Sequence, residues 1–347
     1  MRPVASLPRT IFLVGMIAVL VAAFVLHATL ANDNEKELKA QAEALLAKSH
    51  DLSNIEAPGS PAFTLNATIH YQIGTQTAEG EGQIIWTAPD HYRAAYSAPN
   101  YSYVEIVRDG YRYLTRTNND MPLMMYEMER TVERTMHASA SPKDKIKTVN
   151  SVQSGNEALV CLAFKNPTLL DRCIDSNGDV VTSERNAPPA MSALDERYEF
   201  GDFVGFTTKR FPRKIVFSGG DDHTIEIDVQ QLALMKGLPG DAFNVPADAM
   251  KETWCAEPKM DNGTPMQVIY LTDPAIGLGA TEPLRDAKAS LYYVVGPAGR
   301  ARAVTVIHST KPLGDKDLRT WMASMQFPPL RCGKNGVEYQ IEASFAH

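Results

Sequence analysis

Few residues of this chain stand at spacings that support chemistry. Asp221-Asp222-His223 sets two acids beside an imidazole, the makings of an acid–base or metal site. The preceding Gly219-Gly220 marks that stretch as a hairpin turn instead. Gly277-Leu278-Gly279-Ala280 lacks the third glycine and the preceding strand with which a dinucleotide loop cradles phosphate. His70, His91 and His308 stand alone within strand-like runs and are expected to face solvent. Asp171 and Asp195-Glu196 have no spaced acid partner, and the chain holds no GxSxG and no HExxH. No catalytic residue, cofactor or metal is therefore expected, and the chain reads as a binding protein.

The cysteines point to a compartment. Cys161, Cys173, Cys255 and Cys332 show no CxxC spacing for a metal, so they are read as disulfides. Cys161 and Cys173 flank the natural turn Lys165-Asn166-Pro167, and of three connectivities the expected one pairs them and joins Cys255 to Cys332. Cystines belong outside the cytoplasm. The first residues agree: Arg2 and Arg9 precede an apolar run from Ile11 that continues to Ala31, followed by Asn32-Asp33-Asn34-Glu35. About 20 apolar residues suffice to span a bilayer, so 1–31 is either a cleaved signal or a retained inner-membrane anchor, with the rest of the chain in the periplasm. A net charge of −7 offers no basic face for phosphates, which excludes nucleic acid as a partner.

The elements that follow are short and mostly extended. Asn34 to Ser49 carries Leu38, Ala42, Leu45 and Leu46 at helical spacing. From Phe63 onward, runs such as Phe63–Ile73, Tyr101–Val107, Glu157–Phe164, Glu196–Phe206 and His223–Gln230 alternate between turn signals at roughly ten-residue intervals, the signature of an antiparallel meander. Met121 to Met136 interrupts it with a Met-rich helical stripe. The basic run Lys143 to Lys147 reads as a solvated helix face. Asp248 to Ala287 is a loop-rich connector, with Pro246 to Cys255 as its free part. Near the end, Leu291, Tyr293 and Val295 share one side of a strand and Gly296-Pro297-Ala298-Gly299 turns the chain. Ala301, Ala303, Thr305 and Ile307 alternate with Arg302, Val304 and Val306 on the return. A helix with Leu318, Trp321, Met322 and Met325 stops at Pro328-Pro329, and Val337 to Phe345 alternates as a final strand with one wet face.

Two resemblances follow from these residues. Tyr292-Tyr293-Val294-Val295-Gly296-Pro297-Ala298-Gly299-Arg300, Val304 to Ser309, Leu318, Trp321, Phe327, Pro329 and Cys332-Gly333-Lys334 resemble the C-terminal domain of the TonB family, with Ala298 in place of the usual Asp. That resemblance implies a docking edge for an outer-membrane transporter or another envelope protein along Val337, Glu338, Tyr339, Gln340, Ile341, Glu342, Ala343, Ser344 and Phe345. Gly82 to Arg93 and Asp109-Gly110-Tyr111-Arg112-Tyr113 resemble strand pairs of the LolA and LolB-like carriers, over about Glu35 to Pro246. A curled sheet around a helix leaves an apolar concavity able to hold an acyl chain, with Met124, Met125, Met128 and Val132 as lipid-contact candidates.

The expected fold is α+β: a LolA-like antiparallel open β-barrel over 35–247, the connector over 248–287 and a TonB-like ββαβ domain over 288–347. The expected function is non-catalytic docking of an envelope partner through the last strand, with lipid or lipoprotein carriage as the alternative.

Overall fold

The computed structural model describes residues 37–136, 140–166, 169–185, 195–219, 223–237, 240–256, 258–260, 288–309 and 315–346. The apolar run before Ala31 lies outside them. Helix α1 (residues 37–53) buries Ala42 and Leu46 against Ile146, Leu162, Phe164 and Ile174.

The meander then forms as expected. Strands β1 (Phe63–Ile73), β2 (Gln76–Ala88), β3 (His91–Ala98), β4 (Tyr101–Arg108) and β5 (Tyr111–Arg116) make one half. The other half is β6 (Ile146–Ser154), β7 (Glu157–Phe164), β8 (Asp171–Ile174), β9 (Val180–Arg185), β10 (Glu196–Phe206), β11 (Lys209–Gly219) and β12 (His223–Leu234). Every neighbouring pair is antiparallel, and the halves meet where β1 pairs with β12, Ile69 opposite Ile227. Together with β13 (Met250–Thr253), which pairs with β5, they form one sheet of thirteen strands whose ends are β13 and β6. The sheet is not closed, so it is not a barrel.

Helix α2 (Leu123–Met136) is the link between the halves, leaving β5 near one end of the sheet and leading to β6 at the other. Eleven strand spacings in a flat sheet would cover roughly 53 Å, whereas a helix of 14 residues is only about 21 Å long. The segments on either side of α2 are long enough to cover the difference, so packing and not reach decides whether the sheet curls toward the helix. One apolar core shows that it does, gathering Met121 just before α2 and Met125, Met128, Val132 and Met136 of α2 with Phe63 and Ile69 of β1, Tyr96 of β3, Tyr103 of β4, Tyr198 of β10 and Ile227 of β12. At Gly80 the strand passes so close beneath the helix that a Cβ would lie 3.1 Å from Met128 Sδ and 2.6 Å from the Ser97 carbonyl oxygen.

The C-terminal module has the expected order: β15 (Lys288–Val295), β16 (Ala301–Ser309), α3 (Asp315–Ser324) and β19 (Tyr339–Ala346), with β15 between β16 and β19. A small second sheet joins β14 (Lys259–Met260), β17 (Leu330–Cys332) and β18 (Asn335–Val337).

Several expectations are corrected. Lys145 and Lys147 flank the start of edge strand β6 rather than lying on a helix, because β6 finds a ladder on β7 that propensity does not reveal. The stretch from Pro246 to Cys255 is not free, since β13 is welded to β5 and Trp254 N donates to the Gly110 carbonyl. On β16 the alternation breaks at Ala303, whose φ of 52° makes a bulge. Val304 and Val306 consequently join Ala301 in the module's core, while Ala303 and Ile307 turn outward to α2. The wet face foreseen for β19 is covered: Glu338 and Glu342 pair with arginines of the first module.

Substituting Gly80 by Val should destabilise the protein by about 2–3 kcal/mol, through overpacking between β2 and Met128. Gly201→Ala, at a strand position with nothing within 4 Å of its added Cβ, should stay within about 0.5 kcal/mol of wild type. Urea unfolding of both variants measures the difference.

Candidate functional site

The concave face of the first sheet is occupied by α2, so it is a filled site and not an open hollow. Met125, Met128 and Val132 are fully buried in the core, and Met124 packs half-buried at its margin. These four residues thus do lie on the helix that covers the sheet. Thr131 and Thr135 are buried with them, and the Thr135 hydroxyl is satisfied by donating to the Thr131 carbonyl at 2.9 Å.

Among the methionines the helix carries charges, and each finds a place on the sheet. Toward β3–β5, Glu105 accepts from the Tyr92 hydroxyl at 2.5 Å, from the Tyr103 hydroxyl and from Arg112 Nε at 2.8 Å. Burial pushes the Glu105 carboxyl up, but the Arg112 guanidinium and these hydrogen bonds outweigh it and hold it below the ordinary range. Glu129 of α2 sits over the same group, and its carboxyl is driven well upward by burial and by the like charges of Glu133 and Glu105. Beneath the helix, the Tyr96 hydroxyl is buried with no hydrogen-bond partner, an uncommon arrangement that leaves a donor unused.

A second cluster lies where the two modules meet. Arg130 of α2 pairs with Glu196 of β10 and with Glu342 of β19, the latter at 3.3 Å. Glu127 lies against His223 Nε2. Burial pushes the carboxyls of Glu127 and Glu342 up to about 8, and pushes the His223 imidazole down to about 4. Around this cluster the C-terminal module grips the start of α2. The Tyr292 hydroxyl donates to the Met121 carbonyl at 2.8 Å, and Tyr292 and Val294 pack on Leu123 and Tyr126. Arg116 reaches Glu338 at 2.7 Å, and Arg302 links Glu338 to Asp120.

The sequence-derived docking edge is therefore only partly exposed. Tyr339 and Ile341 are buried in the module's own core with half-buried Val337, while Glu338 and Glu342 are engaged with the first module and Gln340 hydrogen-bonds Glu338. Ala343, Ser344 and Phe345 continue the backbone ladder to β15, opposite Leu291, Ser290 and Ala289. Among the described strands, β19 pairs with β15 alone.

Cys161 and Cys173 sit opposite each other on β7 and β8 and form a disulfide. Cys255 and Cys332 stand as two neighbouring thiols rather than the expected cystine, burial and the adjacent Cys255 pushing the Cys332 thiol up to about 11. His70 faces solvent as expected and meets Glu79 at 3.4 Å. His91 does not: its ring rests 4.3 Å from that of Phe243. His308 carries a side chain outside the described residues. His223, read as part of a turn, begins β12 and points inward between Tyr71 and Phe217. The residues that sequence reasoning missed are Glu127, Glu129 and Arg130; their signal was present, because acids and an arginine within a methionine stripe must be paired if the stripe is buried.

No family model and no curated protein matches the chain, so neither resemblance becomes a family assignment. Solved structures similar to part of it include a LolA superfamily protein from Nitrosomonas europaea, at 10% identity and TM-score 0.37 over 58% of this chain and 97% of that one. An outer membrane lipoprotein-sorting protein domain from Vibrio parahaemolyticus aligns at 10% identity and TM-score 0.36, over 61% of this chain and 97% of that one. A DUF1329 family protein from Desulfovibrio piger aligns at 7% identity and TM-score 0.40, over 58% and 96%. With every TM-score this low, function rests on the geometry of the chain itself.

Replacing Arg112 by Leu strands the Glu105 carboxylate in the interior and should destabilise the protein by about 3 kcal/mol at neutral pH. Because wild-type Glu105 titrates below the ordinary 4.5, its contribution is present above that value and is lost as pH falls further. The gap between wild type and variant should accordingly narrow in acid, where the stranded carboxyl takes a proton. Thermal unfolding across the acid range checks this.

Proposed function

We propose that this protein is an exported, non-catalytic carrier of the periplasm that holds an acyl chain, of a lipid or a lipoprotein, between α2 and the concave face of its first sheet. The observation that carries this reading is the way α2 is seated. The helix lies across the sheet by side-chain contacts, with its methionines over β1–β3 and the unused Tyr96 hydroxyl beneath. A methionine side chain and an acyl chain bury similar flexible apolar surface, so exchanging one for the other is close to neutral in apolar burial. The Tyr96 hydroxyl would gain an acceptor in an ester or carboxyl oxygen. The Cys161–Cys173 disulfide supports an oxidising compartment, and the N-terminal apolar run supports export.

A second reading, docking of an outer-membrane transporter or another envelope protein along β19, has one observation in its favour: no described strand pairs with the outer margin of β19. Main-chain strand addition needs only such a margin. Chemical-shift changes along 337 to 345 on adding a candidate partner segment would support it.

Native mass spectrometry of the purified protein should show a retained amphiphile, and a fluorescent long-chain fatty acid should bind saturably after delipidation. Neither retention nor saturable uptake would leave the carrier reading without support. Tyr96→Phe separates binding from stability. Removing a buried hydroxyl that lacks a partner should raise stability by about 1 kcal/mol, while the lost ligand hydrogen bond should weaken fatty-acid binding by roughly fivefold.

A further inference from the structure

Strands β11 and β12 begin as neighbours and then part. Their ladder runs from Gly219 opposite His223 to Lys214 opposite Asp228 and stops there. Beyond that point β11 continues to Lys209 on β10, and β12 continues to Leu234 on β1. The sheet is split at this end. In strand order β10 and β1 stand three places apart, roughly 14 Å in a flat sheet. The rings of Phe206 and Phe63 nevertheless lie 5.8 Å apart, in the core that α2 covers. The end of the β10–β11 hairpin thus leans over the concave side instead of lying beside β12. It is tied in that position: Lys209 Nζ donates to the Asp51 carbonyl of α1 at 2.6 Å, and Arg210 Nε donates to both Asp179 oxygens, at 2.7 and 2.9 Å.

The split leaves β12 with a main-chain margin that no described strand covers. Arg213 fills its first part, with Nε donating to the Val229 carbonyl at 3.1 Å and Nη2 to the Gln230 carbonyl at 3.5 Å, in place of the N–H groups of a neighbour. Among the described residues no side chain does the same for 231–234, and Leu234 is 50% exposed. At the fork lies a cavity of about 440 Å³ lined by Asp202, Phe203, Val204, Arg213, Asp228 and Gln230, with Val229 behind. Asp202 has a φ of 54°, a state that Asp visits more readily than most residues, and it drops out of the ladder between Gly201–Lys214 and Phe203–Pro212. Lys214 stands opposite Asp228 but lines no part of the cavity. Two carboxylates therefore face one guanidinium whose donors are directed at main-chain oxygens, which makes the cavity a place for positive charge.

We infer that the split is a docking site for an extended basic segment of a partner protein. The segment pairs main chain to main chain with β12 along 230–234, and a lysine or arginine beside the fork reaches Asp202 and Asp228. Strand addition needs a free margin, and the tied hairpin supplies one without any opening of the sheet. Phe203 and Val204 offer an apolar wall to the next side chain. Because successive residues of a strand point to opposite sides, basic and apolar residues in alternation fit this site.

The probe is the fluorescein-labelled peptide Val-Lys-Val-Lys-Val-Lys, with Val-Glu-Val-Glu-Val-Glu as its acidic counterpart, added to the full chain. Anisotropy should show saturable binding of the basic peptide and at least about tenfold weaker binding of the acidic one. Asp202→Asn and Asp228→Asn, which keep shape and backbone preference, should each weaken the basic peptide by up to about fivefold. Glu226→Gln, on β12 outside the cavity, should leave it unchanged. Attraction to the net charge of −7 alone would treat the three variants alike. Hydrogen exchange locates the complex: amides of 230–234 that do not pair with β1 should exchange readily in the free protein and gain at least about tenfold protection with peptide bound. Absence of saturable binding, equal weakening in all three variants, or protection confined to β6, β13 or β19 overturns the docking site.

Discussion

The seating of α2 on the curled sheet is the contact on which the rest of the structure depends. Helix α2 packs on strands of both meanders at once, so the two meanders wrap around it. Wrapping in turn demands strands that tolerate a helix at close range. Gly80 meets that demand by leaving no Cβ between β2 and Met128. The aromatic residues of the concave face, Phe63, Trp86, Tyr96 and Tyr103, then fill the space that the slender methionines leave. Curvature, glycine placement and the Met-rich helix form one solution to one packing problem.

The same helix brings charge into the interior, and the fold deals with it by two different means. At Glu105 the solution is neutralisation, with a guanidinium and two phenols directed at one carboxylate. Around Glu342 the helix supplies Arg130, while burial pushes the carboxyls of Glu127 and Glu342 up to about 8. Buried charge rarely adds stability, because desolvation offsets most of the attraction. The two clusters differ in what governs them: its partners keep the Glu105 carboxyl charged, whereas burial favours the protonated form of Glu127 and Glu342.

The C-terminal module is joined to the first by more than a linker. Strand β13 extends the first sheet, β14 belongs to the second module, and Tyr292 and Val294 close over Leu123. The bulge at Ala303 is what allows this. It sends Val304 and Val306 inward to the module's own core and frees Ala303 and Ile307 to face the helix. A regular strand would have to choose one of those two surfaces.

Much of the fold was legible in the chain because short-range patterning encodes it. Period-two alternation and turn residues located β1, β7 and β10 to the residue, and the methionine spacing located α2. The order strand, strand, helix, strand near the end was equally clear, and so was the Cys161–Cys173 pair across a turn. Other features had no local signature. Strand β6 is exposed along most of its length and exists because β7 offers it a ladder. The burial of Glu338 and Glu342 depends on Arg116 and Arg130, more than 200 residues away. A sequence states which side chains are charged or apolar and at what period they recur; which carboxyl ends beside which, and which of them must keep its proton, is set by long-range packing, because only the assembled interior removes the water that would otherwise keep every acid ionised.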